Sequence, residues 1–420
     1  MTGRTPYLRI DRDASARRIA CDIEVLSGPS FTMSPTAICR YAYTPAYRNT
    51  LAFLRREFTA LGFEVYEDPV GNFVARNRPA GQRVFGLGSH CDSNRNGGRY
   101  DGTLGVVTAL EVCRLSRELG LDLPIQVIAF LEEEGSGFGQ TLLGSRIVLQ
   151  QLDDRDLRER IRSLDDGRPF WEHAREAGYE PERWREAARI LDDLIGWVEL
   201  HIEQGRVLQD HGQRIGIVTT IAGYVHADLQ IFGRADHAGA TPMDLRCDAA
   251  VVAAACVLEL ERLARQAGNG TVGTVGELEL EPGLINVVPG RARLSLDVRG
   301  IDGPAYRRVV DDLVAFARAT AGSRGLRVEY QERQAQPPTR LDDTVIAALE
   351  DAARGSGEPY RLMPSGAGHD TMLVAARIPS AMLFVPCRDG ISHAPDEQAD
   401  PSDAALGAEI LLNAVCNLTA

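Results

Sequence analysis

A chain of 420 residues is too long for one ordinary hydrophobic core, so two domains are expected. With 44% apolar and 25% charged residues it has a globular composition, and no apolar run of 18 residues offers a membrane span. Its formal charge of −13 disfavours nucleic acid or an anionic membrane as partner, because both select basic patches.

The opening stretch, Met1 to Asp13, lacks an apolar core followed by a cleavage site, so no secretory signal is expected. The eight cysteines have no C-x-x-C spacing and predict the reduced, mostly buried thiols of a cytoplasmic protein. Helical apolar spacing marks Asp13 to Leu26 and Asn49 to Leu61, while Phe63 to Tyr66 and Asn72 to Arg76 read as strands. Next, the apolar run from Val84 to Leu87 leads into Gly88-Ser-His-Cys-Asp, and a helical pattern covers Val106 to Leu115. His90 therefore falls where a strand ends and Asp101 just before a helix begins, at the sheet edge where open α/β proteins bind ligands.

Leu123 to Leu131 is a near-continuous apolar strand of the buried parallel kind, and it ends directly on Glu132-Glu-Glu-Gly-Ser136. Three adjacent carboxylates repel one another, and a cation there relieves the repulsion. One of them is assigned as a metal ligand and its neighbour as a proton-transferring base. Residues 150–190 are strongly charged and predict surface helices over the sheet. Ile195 to Leu200 is another strand-like run, and it leads into His201-Ile-Glu-Gln-Gly205.

From Gly216 the texture changes. Strands are expected from Gly216 to Gly223, from Leu229 to Gly233, from Thr271 to Leu280, from Arg291 to Val298 and from Leu326 to Tyr330. Helices cover Asp248 to Ala267 and Asp302 to Ala321. The β-α-β-β-α-β order is that of a split-βαβ, ferredoxin-like α+β layer inserted in the chain. Its sheet leaves an edge that a second copy can cover, so a homodimer is expected. After Gln334-Ala-Gln-Pro-Pro-Thr the α/β texture resumes with a helix from Asp343 to Arg354. Ser365-Gly-Ala-Gly-His-Asp follows, then a strand from Ala381 to Val385 that runs into Gly390-Ile-Ser-His-Ala-Pro. The expected architecture is α/β: a discontinuous catalytic domain, residues 1–215 and 332–420, with a mixed sheet and helices on both faces, interrupted by a lid or dimerisation domain over 216–331.

His90, Asp101, Glu134, His201 and His393 thus stand at predicted strand ends. Five of the eight histidines lie in Gly-rich junctions between strand and loop, and this clustering separates them from ordinary satisfied histidines. Three histidines and two carboxylates exceed one closed tetrahedral shell and suit two divalent ions sharing a carboxylate. With no thiolate in the set, zinc or manganese is expected, and cobalt or nickel also fits. His369, beside Asp370, reads as close to the substrate; His173, His211 and His226 read as structural or solvent-exposed.

Taken in order, these motifs resemble the M20 metallopeptidase superfamily. Within it they are similar to the branch of N-carbamoyl-L-amino-acid hydrolases, allantoate amidohydrolases and ureidopropionases. The likeness is carried by Gly88-Ser-His-Cys-Asp with Gly97-Gly-Arg-Tyr-Asp-Gly, Glu132-Glu-Glu-Gly-Ser with Gly144-Ser-Arg, and His201-Ile-Glu-Gln-Gly. Ala235-Asp-His-Ala-Gly-Ala-Thr-Pro-Met, Asn286-Val-Val-Pro-Gly, Asp297-Val-Arg, and the two motifs ending in His-Asp370 and His393-Ala-Pro extend it over most of the chain.

The resemblance implies a dinuclear site in which Asp101 bridges two ions, His90 and His201 completing one shell and Glu134 and His393 the other. It further implies Glu133 as general base, Asp92 as the partner that orients His90, and His237 as the oxyanion-stabilising histidine, presented across the dimer. Asn286 and Arg299 would grip a substrate carboxylate, and Gln204 would contact the substrate. The implied activity is hydrolysis of a linear amide or ureido C–N bond in a small carboxylate-bearing molecule such as an N-carbamoyl-L-amino acid, allantoate or a ureido acid. The alternative on the same scaffold is an N-acyl-amino-acid amidase or dipeptidase. Gly137, where the branch usually has Arg, and Arg206, where Pro is common, depart from the pattern around the leaving-group pocket.

Overall fold

The computed structural model describes residues 6–420. The lead-in helices start at side-chain caps, each accepting from an otherwise orphaned backbone N–H. Asp11 caps Arg12–Leu26 (α1), and Thr44 caps Pro45–Ala60 (α2). The second helix begins ahead of the expected Asn49 because Thr44-Pro45 supplies both a cap and a proline in the first turn. Strands Glu64–Glu67 (β1), Phe73–Arg76 (β2) and Val84–His90 (β3) follow, then helix Thr103–Glu118 (α3). Ile125–Phe130 (β4), Leu194–Ile202 (β5) and Ile215–Ile221 (β6) continue the chain. The expected surface helices of 150–190 are shorter than predicted. Prolines at 169 and 181 and glycines at 167 and 178 break the segment into a π-type turn over Asp156–Arg160, a helix over Phe170–Glu176 and a 3-10 run over Pro181–Leu191.

The middle of the chain forms Gly223–Phe232 (β7), Asp236–His237 (β8), Ala249–Ala267 (α4), Val272–Thr274 (β9), Leu278–Glu281 (β10), Val287–Val288 (β11), Arg291–Gly300 (β12), Gly303–Gly322 (α5) and Arg327–Gln336 (β13). Thr339–Arg340 (β14), Asp343–Ser356 (α6), Tyr360–Ser365 (β15), Ser380–Val385 (β16) and Pro401–Thr419 (α7) complete it.

The larger sheet runs β1-β2-β4-β3-β5-β16-β6-β14, with β15 also paired to β6. Its central four strands are parallel, β4 with β3, β3 with β5 and β5 with β16, and its flanks are antiparallel, so the fold is mixed α/β. The wholly buried runs of β3, β4 and β16 are what a parallel block covered on both faces requires. Because β3 lies between β4 and β5, the strand order reverses there, and the carboxyl ends of β3 and β5 flank the crevice that such a reversal opens. Helix α3 lies directly on these strands: a Cβ on Gly105 would collide with the Leu200 carbonyl oxygen and press on Ser89.

Two units separate by their internal contacts. One comprises the chain up to Thr219 with Leu341–Met363 and His369–Ala420; the other is Thr220–Arg340 with Pro364–Gly368. These limits differ from the expected 216–331 because β6 pairs with β16, Val218 opposite Met382, and so extends the larger sheet. The second unit has an antiparallel sheet in the order β10-β12-β7-β13, with β9 on the other end of β12. The expected single strand from Thr271 to Leu280 is thus two pieces, one paired at Asp297–Arg299 and the other at Arg291–Leu294. Alternate residues of β7 and β12, including Leu229, Ile231 and Leu294, bury against Val252 and Leu260 of α4 and Leu313 of α5. The two-residue period of strands produces this one-sided core.

Candidate metal centre

β3 and β5 end on His90 and His201, whose rings are stacked with centroids 5.8 Å apart. Asp101 reaches the same point from the turn before α3. That turn passes through Gly102 at φ +60°, where a Cβ would run into the His90 ring, so glycine is needed both for the backbone and for the space. Oδ1 of Asp101 lies 3.4 Å from His90 Nε2 and 3.2 Å from His201 Nε2. Its other oxygen lies 3.2 Å from His393 Nε2, which is itself 3.4 Å from Glu134 Oε2. Each oxygen of one carboxylate therefore faces a different set of ligand atoms, and His90-Asp101-His201 and Asp101-Glu134-His393 form two groups able to hold an ion.

The hydrogen bonds fix which nitrogen each imidazole turns inward. His201 Nδ1 is 2.9 Å from the Ile202 carbonyl and His90 Nδ1 is 3.2 Å from the Asp92 carbonyl; a carbonyl only accepts, so both Nδ1 atoms carry hydrogen. Both Nε2 atoms then face Asp101 Oδ1, a contact that needs a cation between nitrogen and oxygen, either a second proton on the ring or a metal ion. The donor set fits a divalent metal on that ground. The electrostatics agree. Burial pushes His90 down, but the carboxylates of Glu133, Asp101 and Asp92 outweigh it and hold the imidazole well above its usual range. Burial likewise opposes Asp101, which its bonds from His201, His393 and His90 nevertheless keep well below the ordinary carboxylate range. The hydrogen bond to Asp101 lifts His393 to about 9. Burial, with Asp101 adding, pushes Glu134 up to about 7.

Glu133 sits beside this centre, its Oε2 3.9 Å from His90 Nε2, and burial raises its carboxyl well above the usual value, with Glu134 and Asp370 adding to the effect. Asp92 joins the two ligand-bearing turns. Its Oδ1 is 3.4 Å from His90 Nδ1, while its two oxygens accept from the backbone of Glu133 at 3.1 Å and Glu134 at 3.0 Å. Gln204, at φ +59°, donates from its amide to Asp101 Oδ2 at 2.9 Å, so it lies within the same cluster. His369 is buried behind it, its ring 4.5 Å from that of His201 and 5.7 Å from Phe384, and burial holds its imidazole well below the usual value.

The remaining predicted residues lie in the second unit. His237 pairs with Val287 across β8 and β11, and Asn286 accepts the Ala238 N–H, so these two stand together. Two backbone donors, Gly239 and Ala240, point at His237 Nδ1, each at 3.1 Å, and leave hydrogen on the exposed Nε2. Arg299 already holds Asp297 through Nε and Nη2, at 2.8 and 2.9 Å, and reaches the Gly366 carbonyl with Nη1.

Sequence reasoning missed three buried polar residues around the centre. Glu199 accepts from Ser89 and Thr371 beneath His201, Glu397 accepts from the Asp101 turn, and Arg40 donates to the Cys91 carbonyl behind His90. None carries a motif signal of its own; each is defined by the partners that the fold brings to it.

Residues 86–417 match the description of Peptidase family M20/M25/M40. The chain is 37% identical over 403 residues to an N-carbamoyl-L-amino-acid amidohydrolase of Paenarthrobacter aurescens, covering 95% of this chain and 97% of that one. It is 32% identical over 389 residues to an allantoate amidohydrolase of Escherichia coli K12, covering 91% and 93%. A crystal structure of an amidase of the hydantoinase/carbamoylase family from Burkholderia multivorans superposes with a TM-score of 0.87 at 29% identity, covering 99% of each chain. With candidate metal-ligand groups gathered beyond the carboxyl ends of its parallel strands, the chain belongs to Peptidase family M20/M25/M40.

Proposed function

We propose that the protein is a two-metal amidohydrolase that cleaves the linear amide or ureido C–N bond of a small carboxylate-bearing substrate: an N-carbamoyl-L-amino acid, allantoate or a ureido acid. The observation that carries this reading is the Asp101 carboxylate, with Oδ1 turned to His90 and His201 and Oδ2 turned to His393. The substrate class rests on relatives that act on carbamoyl amino acids and allantoate.

In this reading His90, Asp101 and His201 would hold one ion and Asp101, Glu134 and His393 the other; zinc or manganese would suit the set. Bound divalent ions would supply Lewis acidity toward the substrate carbonyl and make a water acidic enough to lose its proton at neutral pH. Glu133 takes a proton from the attacking water and returns it to the departing nitrogen, a role supported by its place beside His90 and by burial, which raises its carboxyl above the ordinary value. Asp92 keeps the His90 ring and the Glu133-Glu134 turn in register. His237 donates its Nε2 hydrogen to the developing oxyanion. Arg299 and Asn286 grip the substrate carboxylate, with Asp297 aiming the guanidinium, and Gln204 and His369 are assigned to substrate binding beside the metal ligands.

The second unit serves as a ferredoxin-like lid and dimerisation domain, a role supported by its strand order and by exposed Leu278 and Leu280 on the edge strand β10. The protein would act in the cytoplasm as a homodimer; its eight cysteines are free thiols.

The test is a panel of N-carbamoyl-L-amino acids, allantoate, ureidoglycolate, 3-ureidopropionate and N-acyl amino acids, given to protein reconstituted with zinc or manganese. Carbon dioxide and ammonia released in step with the amino acid identify carbamoyl cleavage; an intact acid released with an amino acid identifies acyl cleavage instead. Glu133→Gln is expected to retain the ions and lose at least about 100-fold in turnover. Activity near wild type in that variant removes Glu133 as the base.

A further inference from the structure

Glu397 lies four positions beyond His393 in the same loop and is 1% exposed. Its Oε1 accepts the backbone N–H of Tyr100 at 2.8 Å and of Asp101 at 3.0 Å. Its Oε2 accepts from the Ser392 hydroxyl at 3.0 Å. A Cβ on Gly98 would overlap the Glu397 side chain, so the Gly97-Gly98 turn wraps around it at van der Waals range. One side chain thus ties the turn that delivers Asp101 to the loop that delivers His393. Those two ligands come from positions almost 300 residues apart, and His393 is itself held at φ +54°, a conformation that needs support from its surroundings.

Ser392 adds a second feature. Its hydroxyl is 3.0 Å from Asp101 Oδ2 and 3.0 Å from Glu397 Oε2, yet it has one hydrogen to give. When a cation takes up Asp101 Oδ2, that oxygen no longer needs the hydroxyl, and Glu397 is the acceptor already in place.

We propose that Glu397 is a positioning residue for the metal centre: it locks the Asp101 turn to the His393 loop and receives the Ser392 hydrogen when an ion occupies the Asp101-Glu134-His393 group. The inference rests on the two-ion reading above. Glu397 touches neither substrate nor ion. Its action is on the spacing and the hydrogen-bonding freedom of two ligands, and partners of this kind are worth about 10–100-fold in metal affinity.

The experiment compares full-length wild type, Glu397→Gln and Ser392→Ala, each stripped of metal and titrated with Mn²⁺ or Zn²⁺ against a competing chelator. Bound metal is counted by elemental analysis, and the thermal midpoint is recorded without metal. Glutamine keeps one oxygen for the Tyr100 and Asp101 N–H groups but presents an NH₂ to Ser392, which cannot accept its hydrogen. Glu397→Gln is expected to lose at least about 10-fold in affinity for one of two ions while its metal-free midpoint stays within about 2 °C of wild type. Ser392→Ala is expected to weaken the same ion, and Glu397→Gln added to it is expected to cost less than it does alone. Affinity unchanged within twofold overturns the proposal, as does a loss matched by a fall in the metal-free midpoint, which marks a purely structural role. If Glu397→Gln does not fold, Ser392→Ala decides: wild-type affinity there overturns the latch. A wild type that binds no metal sinks the two-ion reading itself, an outcome distinct from wild-type binding that Glu397→Gln leaves intact.

Discussion

Arg40 shows how a single buried residue can hold a site without entering it. The guanidinium is 1% exposed, and each of its three nitrogens is 2.7 Å from an acceptor: Nε from the Cys91 carbonyl, Nη1 from the Leu26 carbonyl and Nη2 from the Thr103 hydroxyl. Those acceptors flank His90 on one side and follow Asp101 on the other, so one cation braces both ligand turns and the end of α1. Arg40→Met keeps much of the volume and strands these acceptors away from water; the expected loss is about 3 kcal/mol in urea unfolding of the metal-free protein. A loss below about 1 kcal/mol would show that the turns are held by their own backbone bonds. Such residues mark the limit of what the sequence reveals. His90, Asp101, Glu134, His201 and His393 could be picked out because they fall in glycine-containing junctions after predicted strands or, for Asp101, just before a helix, and the structure gathers the other four around Asp101. Arg40 and Glu199 stand in largely apolar runs and Glu397 in a polar one, and none could be picked out, since a single charged residue in either setting does not show which distant partners the fold will bring to it. Arg299 was legible as a cation but not as one already engaged by Asp297 two positions away.

At the level of elements, strand type was legible and strand membership was not. The apolar runs ending at His90 and Phe130 could only be buried on both faces, whereas β6 and β7 are separated by Ala222 alone and read as one change of texture. Pairing with β16 places β6 in the larger sheet, a long-range fact that local pattern does not hold. Packing of α3 on β3 and β5 is similarly invisible in periodicity, because Gly105 marks it by lacking a side chain. Gly105→Ala would drive a methyl group into the Leu200 carbonyl and against Ser89, forcing the first turn of α3 off the sheet at the point where it follows Asp101. The expected cost is about 3 kcal/mol, at the upper end for overpacking because the obstacle is backbone. Gly322→Ala, near the exposed end of α5 with no atom within 4 Å of the added carbon, is the matched control and is expected to be neutral or stabilising by about 0.5 kcal/mol. Chemical denaturation of both variants decides, and equal midpoints would refute the close approach.

The whole chain is fastened end to end by one buried carboxylate. Glu409, in the last helix α7, accepts from the Tyr7 hydroxyl at 2.8 Å and from Arg12 Nε and Nη2 at 3.0 and 2.8 Å. Beside it Asn413 exchanges hydrogen bonds with both backbone groups of Leu8. The first described residues are thereby bound to a helix some 400 positions away. Burial alone would raise the Glu409 carboxyl, but the bonds from Arg12 and Tyr7 outweigh it and hold the group below its ordinary value. A carboxyl with a lower pKa folded than unfolded stabilises the fold above the unfolded value, near 4.3, and that contribution fades as pH falls through the folded value. Glu409→Gln keeps the shape but leaves Arg12 without its charge partner, so it is expected to cost about 2 kcal/mol at pH 7. The gap between the two proteins should then narrow steadily below about pH 4, where the wild-type carboxyl also becomes neutral. Unfolding free energies of wild type and Glu409→Gln across pH 3 to 7 provide the measurement. A gap that stays constant over that range would show that the arm is held by packing and the Leu8–Asn413 bonds, with no contribution from the charge on Glu409.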